Sequence, residues 1–344
     1  MDIDDKINHI QWLKPQGKNL FVLTTNDRTV KLWKVYSTLK KDFKATNKAA
    51  KDDKDLEMPR VRIGANQSWQ HCLKRAFPNL HSYHINSISA CANGENFISS
   101  DDLRVNLWNL ENKVQAFTII DLKPDNFEEL SEVITASQFH PKVDNQFIFS
   151  TSKGVIKLGD LRKSSVCDGT AITFEDKDAQ INRNFFTEII SSISDVTFSK
   201  DGQYIFSRDF LSVKIWDVNM PNKPVEVINI FESLKSKLCE LYENECIFDK
   251  FSISSSPCSN YFLTGLFNNN FHISDIAGTN NQQFELNFAK QTISKHIPKK
   301  LYEPLGSTYN YSRKILKSAW HPTQNIVAIA CLNSLFLYNA DTPS

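Results

Sequence analysis

Apolar and polar residues alternate in short segments along the whole chain, and one four-residue pattern recurs six times. Each copy has apolar residues at its first and third positions. The copies cover residues 30–33, 105–108, 156–159, 213–216, 271–274 and 335–338. Alternation with a period of two is typical of a β-strand that buries one face. The sequence therefore predicts six similar strands, and we call the fourth residue of each copy its anchor.

A second apolar segment precedes each anchor at a nearly constant distance. These segments cover residues 7–13, 85–90, 133–139, 193–198, 248–253 and 315–320. Turn signals such as Asn93-Gly94 and Asp201-Gly202 separate the paired segments, as in hairpins. A repeat of about 40–45 residues, lengthened here by insertions, is typical of propeller blades.

We therefore expect an all-β propeller that forms a single domain over residues 1–344. Six blades are visible, near residues 7–35, 85–110, 133–161, 193–218, 248–276 and 315–339, and residues 36–76 form an inserted arm or loop. The segments before Ile7 and after Asn339 are too short to supply an outer strand. Because propellers avoid unpaired edges, we expect an open ring here and a further amino-terminal blade in the natural full-length form.

Charge and composition narrow the class of protein. Forty basic residues against 39 acidic ones give a net charge of +1, which does not favour a dedicated nucleic-acid binder. The amino terminus is acidic, and no apolar run approaches the length of about 20 residues that a membrane span needs. The seven cysteines contain no C-x-x-C pair. These features predict a cytoplasmic or nuclear protein that binds neither nucleic acid nor membrane.

No recognisable catalytic or metal-binding motif occurs in the sequence. The eight histidines lack H-x-x-H and H-E-x-x-H spacing, and there is no G-x-S-x-G motif or P-loop. We therefore expect no catalytic residue, no metal and no cofactor.

Several long stretches resemble the regulatory B subunits of protein phosphatase 2A, the 55-kDa WD-repeat family. They cover residues 81–89, 100–108, 120–135, 185–195, 207–217 and 236–249. The resemblance implies a seven-bladed WD-repeat propeller, with residues 2–8 entering the second blade. It also implies a non-catalytic subunit that binds the HEAT-repeat scaffold and catalytic subunits and recruits phosphoprotein substrates in signal transduction.

The resemblance places an acidic substrate-recruiting face on four stretches of the chain. The residues concerned are Asp2, Asp4, Asp5, Tyr83, His84, Asp101, Asp102, Glu128, Glu129 and Leu130. Carboxylates beside an apolar residue suit Lys and Arg side chains of a partner. Two other interpretations stay open. Asp102 precedes its anchor by the same distance as Asp27, which favours a structural turn, and Glu128 and Glu129 suit a helix amino terminus.

The resemblance also assigns residues 36–76 to an arm that reaches the scaffold subunit. Trp69, Arg60 and Arg62 are its candidate contact residues, since Trp and Arg are enriched at interface hot spots. The alternative is a solvated loop, because the segment is rich in Lys and Asp.

Two other functions remain open from the residues alone. A WD-repeat adaptor of another complex shares the fold and differs in its partners. A propeller hydrolase needs a clustered nucleophile or metal set, which the sequence does not show. Fold alone does not separate these functions.

Overall fold

Each of the six repeated patterns forms the third strand of its own antiparallel sheet. In the computed structural model these sheets are the blades of a β-propeller, as the sequence predicts. The structure describes residues 6–15, 17, 19–45, 61–78, 80–112, 115–164, 166, 171–176, 184–287, 292–296 and 310–339.

The blades follow one another along the chain, and we number them 1 to 6. Blade 1 contains β1 (His9–Trp12), β2 (Leu20–Thr25), β3 (Val30–Ala45) and β4 (Val61–Ala76); blade 2 contains β5 (Ser87–Ala90), β6 (Asn96–Ser100), β7 (Arg104–Asn109) and β8 (Ala116–Asp121). Blade 3 contains β9 (Ile134–Phe139), β10 (Gln146–Thr151), β11 (Ile156–Asp160) and β12 (Ile172–Phe174); blade 4 contains β13 (Asp195–Phe198), β14 (Tyr204–Arg208), β15 (Ser212–Asp217) and β16 (Glu226–Asn229). Blade 5 contains β17 (Ile253–Ser255), β18 (Tyr261–Gly265), β19 (Asn270–Asp275), β20 (Gln282–Asn287) and β21 (Thr292–His296); blade 6 contains β22 (Lys317–Trp320), β23 (Ile326–Cys331) and β24 (Ser334–Asn339).

The first strands of successive blades contact one another in the order β1, β5, β9, β13, β17 and β22. All six border a polar central channel of about 580 Å³. The blades therefore form a ring whose inner wall is built from their first strands.

Apolar side chains fill the spaces between neighbouring blades. Trp108, the anchor of blade 2, is 1% exposed and packs on Phe77 of blade 1 with a ring-centroid distance of 5.6 Å. Its indole Nε1 donates to Ser99 Oγ on the second strand at 2.7 Å. Trp33 and Trp216 make the same kind of bond within their own blades. The repeated tryptophan thus combines burial with a satisfied indole N–H.

The inserted arm is a long hairpin. β3 and β4 pair from Lys31 with Ala76 to Ala45 with Val61. The first part of β3 and the last part of β4 belong to blade 1, and the rest of the hairpin extends away from it.

The sequence-predicted strand over residues 248–253 is wrong for most of its length. The chain between β16 and β17 instead contains the helix α2 (Leu238–Glu243) and 3-10 helices at Glu232–Lys237 and Cys246–Phe248, so that β17 begins only at Ile253. The apolar residues here serve a different core: Phe251 is 1% exposed and packs in a cluster with Phe231 and Phe267. Contacts to these neighbours, rather than strand alternation, decide the local conformation.

Among the residues that the structure describes, blade 6 has three strands, whereas each of the other blades has four or five. Phe336 and Tyr338 of β24 face blade 5, whereas Leu335 and Leu337 point the other way and are each 67% exposed. In the corresponding third strand of blade 2, Val105 is fully buried. Among the residues described, no helix has the length and apolar character needed to cross a membrane.

Candidate functional site

The described candidates for the substrate-recruiting face gather at one end of the ring, which we call the upper face. The chain enters each first strand at this end, and the loops between second and third strands also open there because neighbouring strands are antiparallel. Asp101 and Asp102 lie in such a loop, between β6 and β7. The segment that enters β9 lies beside them, since the Ile134 amide donates to the Asp102 carbonyl at 2.7 Å.

Asp101 is a buried structural residue. It is 1% exposed, and one carboxylate oxygen lies 2.8 Å from His81 Nδ1. The other accepts hydrogen bonds from the amides of Leu103 and Arg104. Burial alone would raise the pKa of Asp101, but these bonds to its charged form lower it instead. The carboxylate therefore fixes the turn between β6 and β7 and is not displayed to a partner.

The structural turn role proposed for Asp102 belongs to Asp101, one residue earlier. Asn26 and Asp209 occupy the equivalent positions in blades 1 and 4, and each accepts a hydrogen bond from a residue three positions later. The sequence interpretation was wrong by one position because the loop offers two adjacent aspartates. The carboxylate of Asp102 therefore takes no part in the hydrogen bonds that fix this turn.

Asp102 lies at the rim of the central channel, partly exposed, together with His84 and Lys250. Its carboxylate makes no hydrogen bond with any residue that the structure describes. Burial raises its pKa, and the negative charge of Asp101 adds to this, whereas Lys250 and His84 oppose it. His84 also lies 3.3 Å from Asp27, measured between Nδ1 and Oδ1, and both side chains are open to solvent. Asp27 therefore extends the acidic rim, although we did not select it from the sequence.

The stretch before β9 forms the 3-10 helix Phe127–Glu129, capped by the side chain of Asn126. Glu128 and Glu129 lie in its first turn and are exposed. Phe127 is 52% exposed and Leu130 is 37% exposed. The geometry permits both interpretations of these carboxylates, since an amino-terminal position does not prevent contact with a partner.

The other candidates are placed as follows. Tyr83 is 37% exposed next to His84, and Trp69 is 62% exposed on β4. Arg62 lies on β4, but its side chain is not described. Asp2, Asp4, Asp5 and Arg60 lie outside the described residues.

A second feature of the upper face escaped the sequence analysis. A cleft of about 670 Å³ lies beside the stretch that contains Glu129 and Leu130. Its lining includes Ser131, Glu188, Lys214 and Phe248. The short helix α1 (Phe185–Ser191) forms one wall, held by a capping box in which Asn184 and Thr187 bond reciprocally. The helix is too short to give a periodic signal, so its sequence did not show which face is exposed.

Aromatic side chains gather at the mouth of this cleft, and two of them, Phe185 and Phe248, belong to its lining. Phe185 is 58% exposed, Phe248 is 55% exposed and Tyr242 is 41% exposed. The Tyr242 ring lies 5.4 Å from that of Phe185 and 5.9 Å from that of Phe248, measured between centroids. Large exposed rings that touch one another are typical of interaction sites. We call these three residues the aromatic patch.

Comparison with known proteins shows that the chain is similar to a phosphatase regulatory subunit. A serine/threonine-protein phosphatase 2A regulatory subunit of Dictyostelium discoideum, phr2AB, is 41% identical to the chain over 395 residues. The match covers 99% of this chain and 81% of that protein. No family model matches the chain.

Proposed function

The chain belongs to the family of regulatory B subunits of protein phosphatase 2A, and from this premise we propose that it recruits phosphoprotein substrates to the phosphatase and modulates its selectivity. The subunit is not itself an enzyme. Specificity then comes from holding a substrate close to the catalytic subunit, which raises its effective concentration there.

The observation that best supports this proposal is the combination of carboxylates and exposed apolar residues on one face. Asp102 and Glu129 provide negative charge, while Phe127 and Leu130 provide apolar surface. Ser131, which follows Leu130, already lines the cleft beside the aromatic patch. We call Asp102, Phe127, Glu129 and Leu130 the recruiting strip. A substrate segment with both basic and apolar residues fits this strip and the neighbouring aromatic patch, because carboxylates accept charge-assisted hydrogen bonds and the rings cover apolar side chains.

We propose that the arm carries the contact with the scaffold subunit. Trp69 supports this, since it is an exposed large aromatic residue on a hairpin that extends away from the propeller. An exposed Trp is a common interface anchor. The recruiting strip then stays open to substrate near the catalytic subunit, in the cytoplasm or the nucleus.

The recruiting strip is tested with a phosphorylated peptide rich in Lys and Arg. Combined Asp102→Asn and Glu129→Gln substitution should weaken binding by about tenfold or more, since charge-assisted contacts are lost. Binding to the unaltered chain should also weaken as salt rises. The control is Glu95→Gln, an exposed carboxylate in the loop between β5 and β6 at the opposite end. Equal losses of affinity in both variants, or an affinity that does not change with salt, would contradict the proposed role of the recruiting strip.

The complex is tested by co-purification with the phosphatase scaffold and catalytic subunits. Trp69→Ala should reduce recovery of the scaffold, whereas Phe117→Ala, which removes an equally exposed ring (62%) from β8, should not. Recovery of a different assembly without either phosphatase subunit would favour the adaptor function instead.

A further inference from the structure

The hairpin turn between β5 and β6 carries the one Asn-Gly pair of the sequence, Asn93-Gly94. Asn93 is exposed, at the end of blade 2 opposite the upper face. Gly94 has a φ of +75°, a conformation that glycine adopts without strain. No other part of the described chain lies within 4 Å of the point where a Cβ at Gly94 would stand. The turn is therefore open to solvent and has room for a change of backbone conformation.

The side chain of Asn93 is held by its carbonyl oxygen. The Glu95 amide donates to Asn93 Oδ1 at 2.9 Å. The amide nitrogen Nδ2 of Asn93 makes no hydrogen bond with the residues that the structure describes. A donor at Oδ1 stabilises the negative charge that develops there when a nucleophile adds to Cγ. The carbonyl is thus activated, and nothing in the described chain retains the amide as a leaving group.

The backbone nitrogen of Gly94 is the nucleophile that the sequence supplies. It directly follows Asn93, so its bond to Cγ closes a five-membered ring, and the absence of a Cβ leaves this approach unhindered. In the folded turn the Gly94 N–H donates to the Cys91 carbonyl at 3.0 Å. This bond must open before attack, and opening costs little in an exposed turn at the end of a hairpin.

Asn86, which precedes Ser87 at the other end of β5, has the opposite environment. Its Nδ2 donates to the Ile134 carbonyl at 2.9 Å. Its Oδ1 accepts from the hydroxyls of Ser87 and Ser100. Both ends of this amide are fixed, and Ser87 is buried within the sheet. We therefore expect Asn86 to react slowly, which makes it an internal reference for Asn93.

We propose that Asn93 is a modification site at which the chain deamidates without an enzyme. The Gly94 nitrogen loses its proton to water and bonds to Asn93 Cγ, the bond from Cγ to Nδ2 breaks, and the amide takes up a proton and leaves as ammonia. Water then opens the cyclic imide at either carbonyl. Opening at Cγ gives aspartate, and opening at the main-chain carbonyl gives isoaspartate. In sum an amide is exchanged for a carboxylate, water is consumed and ammonia is released, with no oxidation or reduction.

Blade 4 shows how the aspartate product fits the turn. The equivalent pair there is Asp201-Gly202, in which the Gln203 amide donates to Asp201 Oδ1 at 3.0 Å. The Gly202 amide donates to the Ser199 carbonyl at 3.0 Å. These bonds match those of Asn93 and Gly94, so the fold accepts an aspartate at this position. Isoaspartate lengthens the main chain by one carbon and should disturb the pairing of β5 with β6.

The new carboxylate changes the charge of a small pocket between blades 1 and 2. Asn93 lines this pocket together with Lys14 and Lys74 of blade 1 and with Glu95 and Glu111 of blade 2. The two cations and the two carboxylates balance, so deamidation gives the pocket a net negative charge as the protein ages. This inference is independent of the proposed phosphatase function, since it concerns the chemistry of one turn.

Incubation of the purified full chain, followed by peptide mass spectrometry, tests the proposal. The peptide that contains Asn93 should show the mass change from amide to carboxylate, and an isoaspartyl-specific methyltransferase should label the same peptide. Conversion should be roughly tenfold or more faster at Asn93 than at Asn86. The rate should rise with pH, because the Gly94 nitrogen must lose its proton. Conversion at Asn93 that is no faster than at Asn86, or that occurs only in the urea-unfolded chain, overturns the proposal.

Two variants separate the chemistry from the fold. Asn93→Gln keeps an amide but would have to close a larger ring, so it should abolish conversion at this position. Asn93→Asp reproduces the aspartate product and should keep the melting temperature of the unaltered chain, since blade 4 carries Asp201 in the equivalent turn. Methyltransferase labelling that stays at its full level in Asn93→Gln would mean that the isoaspartate forms elsewhere, and would also overturn the proposal.

Discussion

At the scale of single residues, polar groups buried between blades 4 and 5 make the free energy of unfolding depend on pH. His272 is 9% exposed and its Nε2 has no hydrogen-bond partner among the described residues. Arg208 is fully buried with its guanidinium 5.2 Å from the ring centroid of Phe231. Burial lowers the pKa of His272 from 6.5 to about 4, and the charge of Arg208 acts in the same direction. The histidine is therefore held neutral in the folded protein.

We expect this histidine to make the protein sensitive to acid. Its pKa is lower in the folded state than in the unfolded state, so its contribution is fully present above pH 6.5 and is lost as the pH falls from 6.5 to about 4. The loss by pH 4.5 should be roughly 2–3 kcal/mol. Urea unfolding should show that the free energy of unfolding of His272→Gln depends correspondingly less on pH than that of the unaltered chain. The same slope in His272→Gln would contradict this assignment.

Asp102 should make substrate binding sensitive to acid in a different way. A cationic partner needs the ionised carboxylate, and the raised pKa of Asp102 means that this form is lost at a higher pH than for an ordinary aspartate. Affinity for the basic peptide should therefore fall on acidification, and Asp102→Asn should remove that part of the fall. Lys250, His84 and Asp101 surround the group, so the variant is compared with the unaltered chain at each pH.

The two adjacent aspartates show how far sequence reasoning reaches at this scale. The repeat predicted that the loop before the anchor contains a structural aspartate. It favoured Asp102, whereas the structure gives this role to Asp101, whose carboxylate is held by His81 on a preceding segment. Contacts between residues distant in the chain made this decision.

At the scale of elements, close approach of backbones holds blades 5 and 6 together. The Cβ of an alanine at Gly265, on β18, would lie 1.8 Å from the carbonyl oxygen of Ile315. Since backbone cannot move aside as a side chain can, Gly265→Ala should cost about 3 kcal/mol in the free energy of unfolding. Gly94→Ala is the matched control: its φ is +75°, but nothing lies within 4 Å of the new Cβ, so it should cost about 1 kcal/mol. Equal costs in thermal or urea unfolding would contradict this.

The sequence predicted elements well where local pattern and tertiary environment agree. The third strands carry a motif whose anchor is buried in blades 1 to 5 and partly buried in blade 6, and the structure has a strand at all six copies. The region before β17 shows the opposite. Its apolar residues serve the cluster around Phe231 and Phe251 and the aromatic patch, and the short helices there are stabilised by those contacts rather than by their own periodicity. The cleft beside α1 was missed for the same reason, because the short helix that forms its wall has no periodic sequence pattern of its own.

At the scale of the whole molecule, burial is uneven around the ring. Ile148 and Ile205, on the second strands of blades 3 and 4, are fully buried between these two blades. By contrast, Trp12 on β1 is 56% exposed, and Leu335 and Leu337 of β24 are each 67% exposed. Because burial of apolar surface supplies most of the stabilising free energy, local opening should cost least in blades 1 and 6.

Native-state hydrogen exchange measures this gradient directly. We expect the slowest exchange in β10 and β14, whose side chains pack against neighbouring blades on both faces, and the fastest exchange among second strands in β2 and β23. Uniform exchange in all six blades would mean that the ring opens as one unit. Fast exchange limited to blades 1 and 6 would mean that each blade depends mainly on its neighbours, so that the two least covered blades set the lowest-energy opening of the whole propeller.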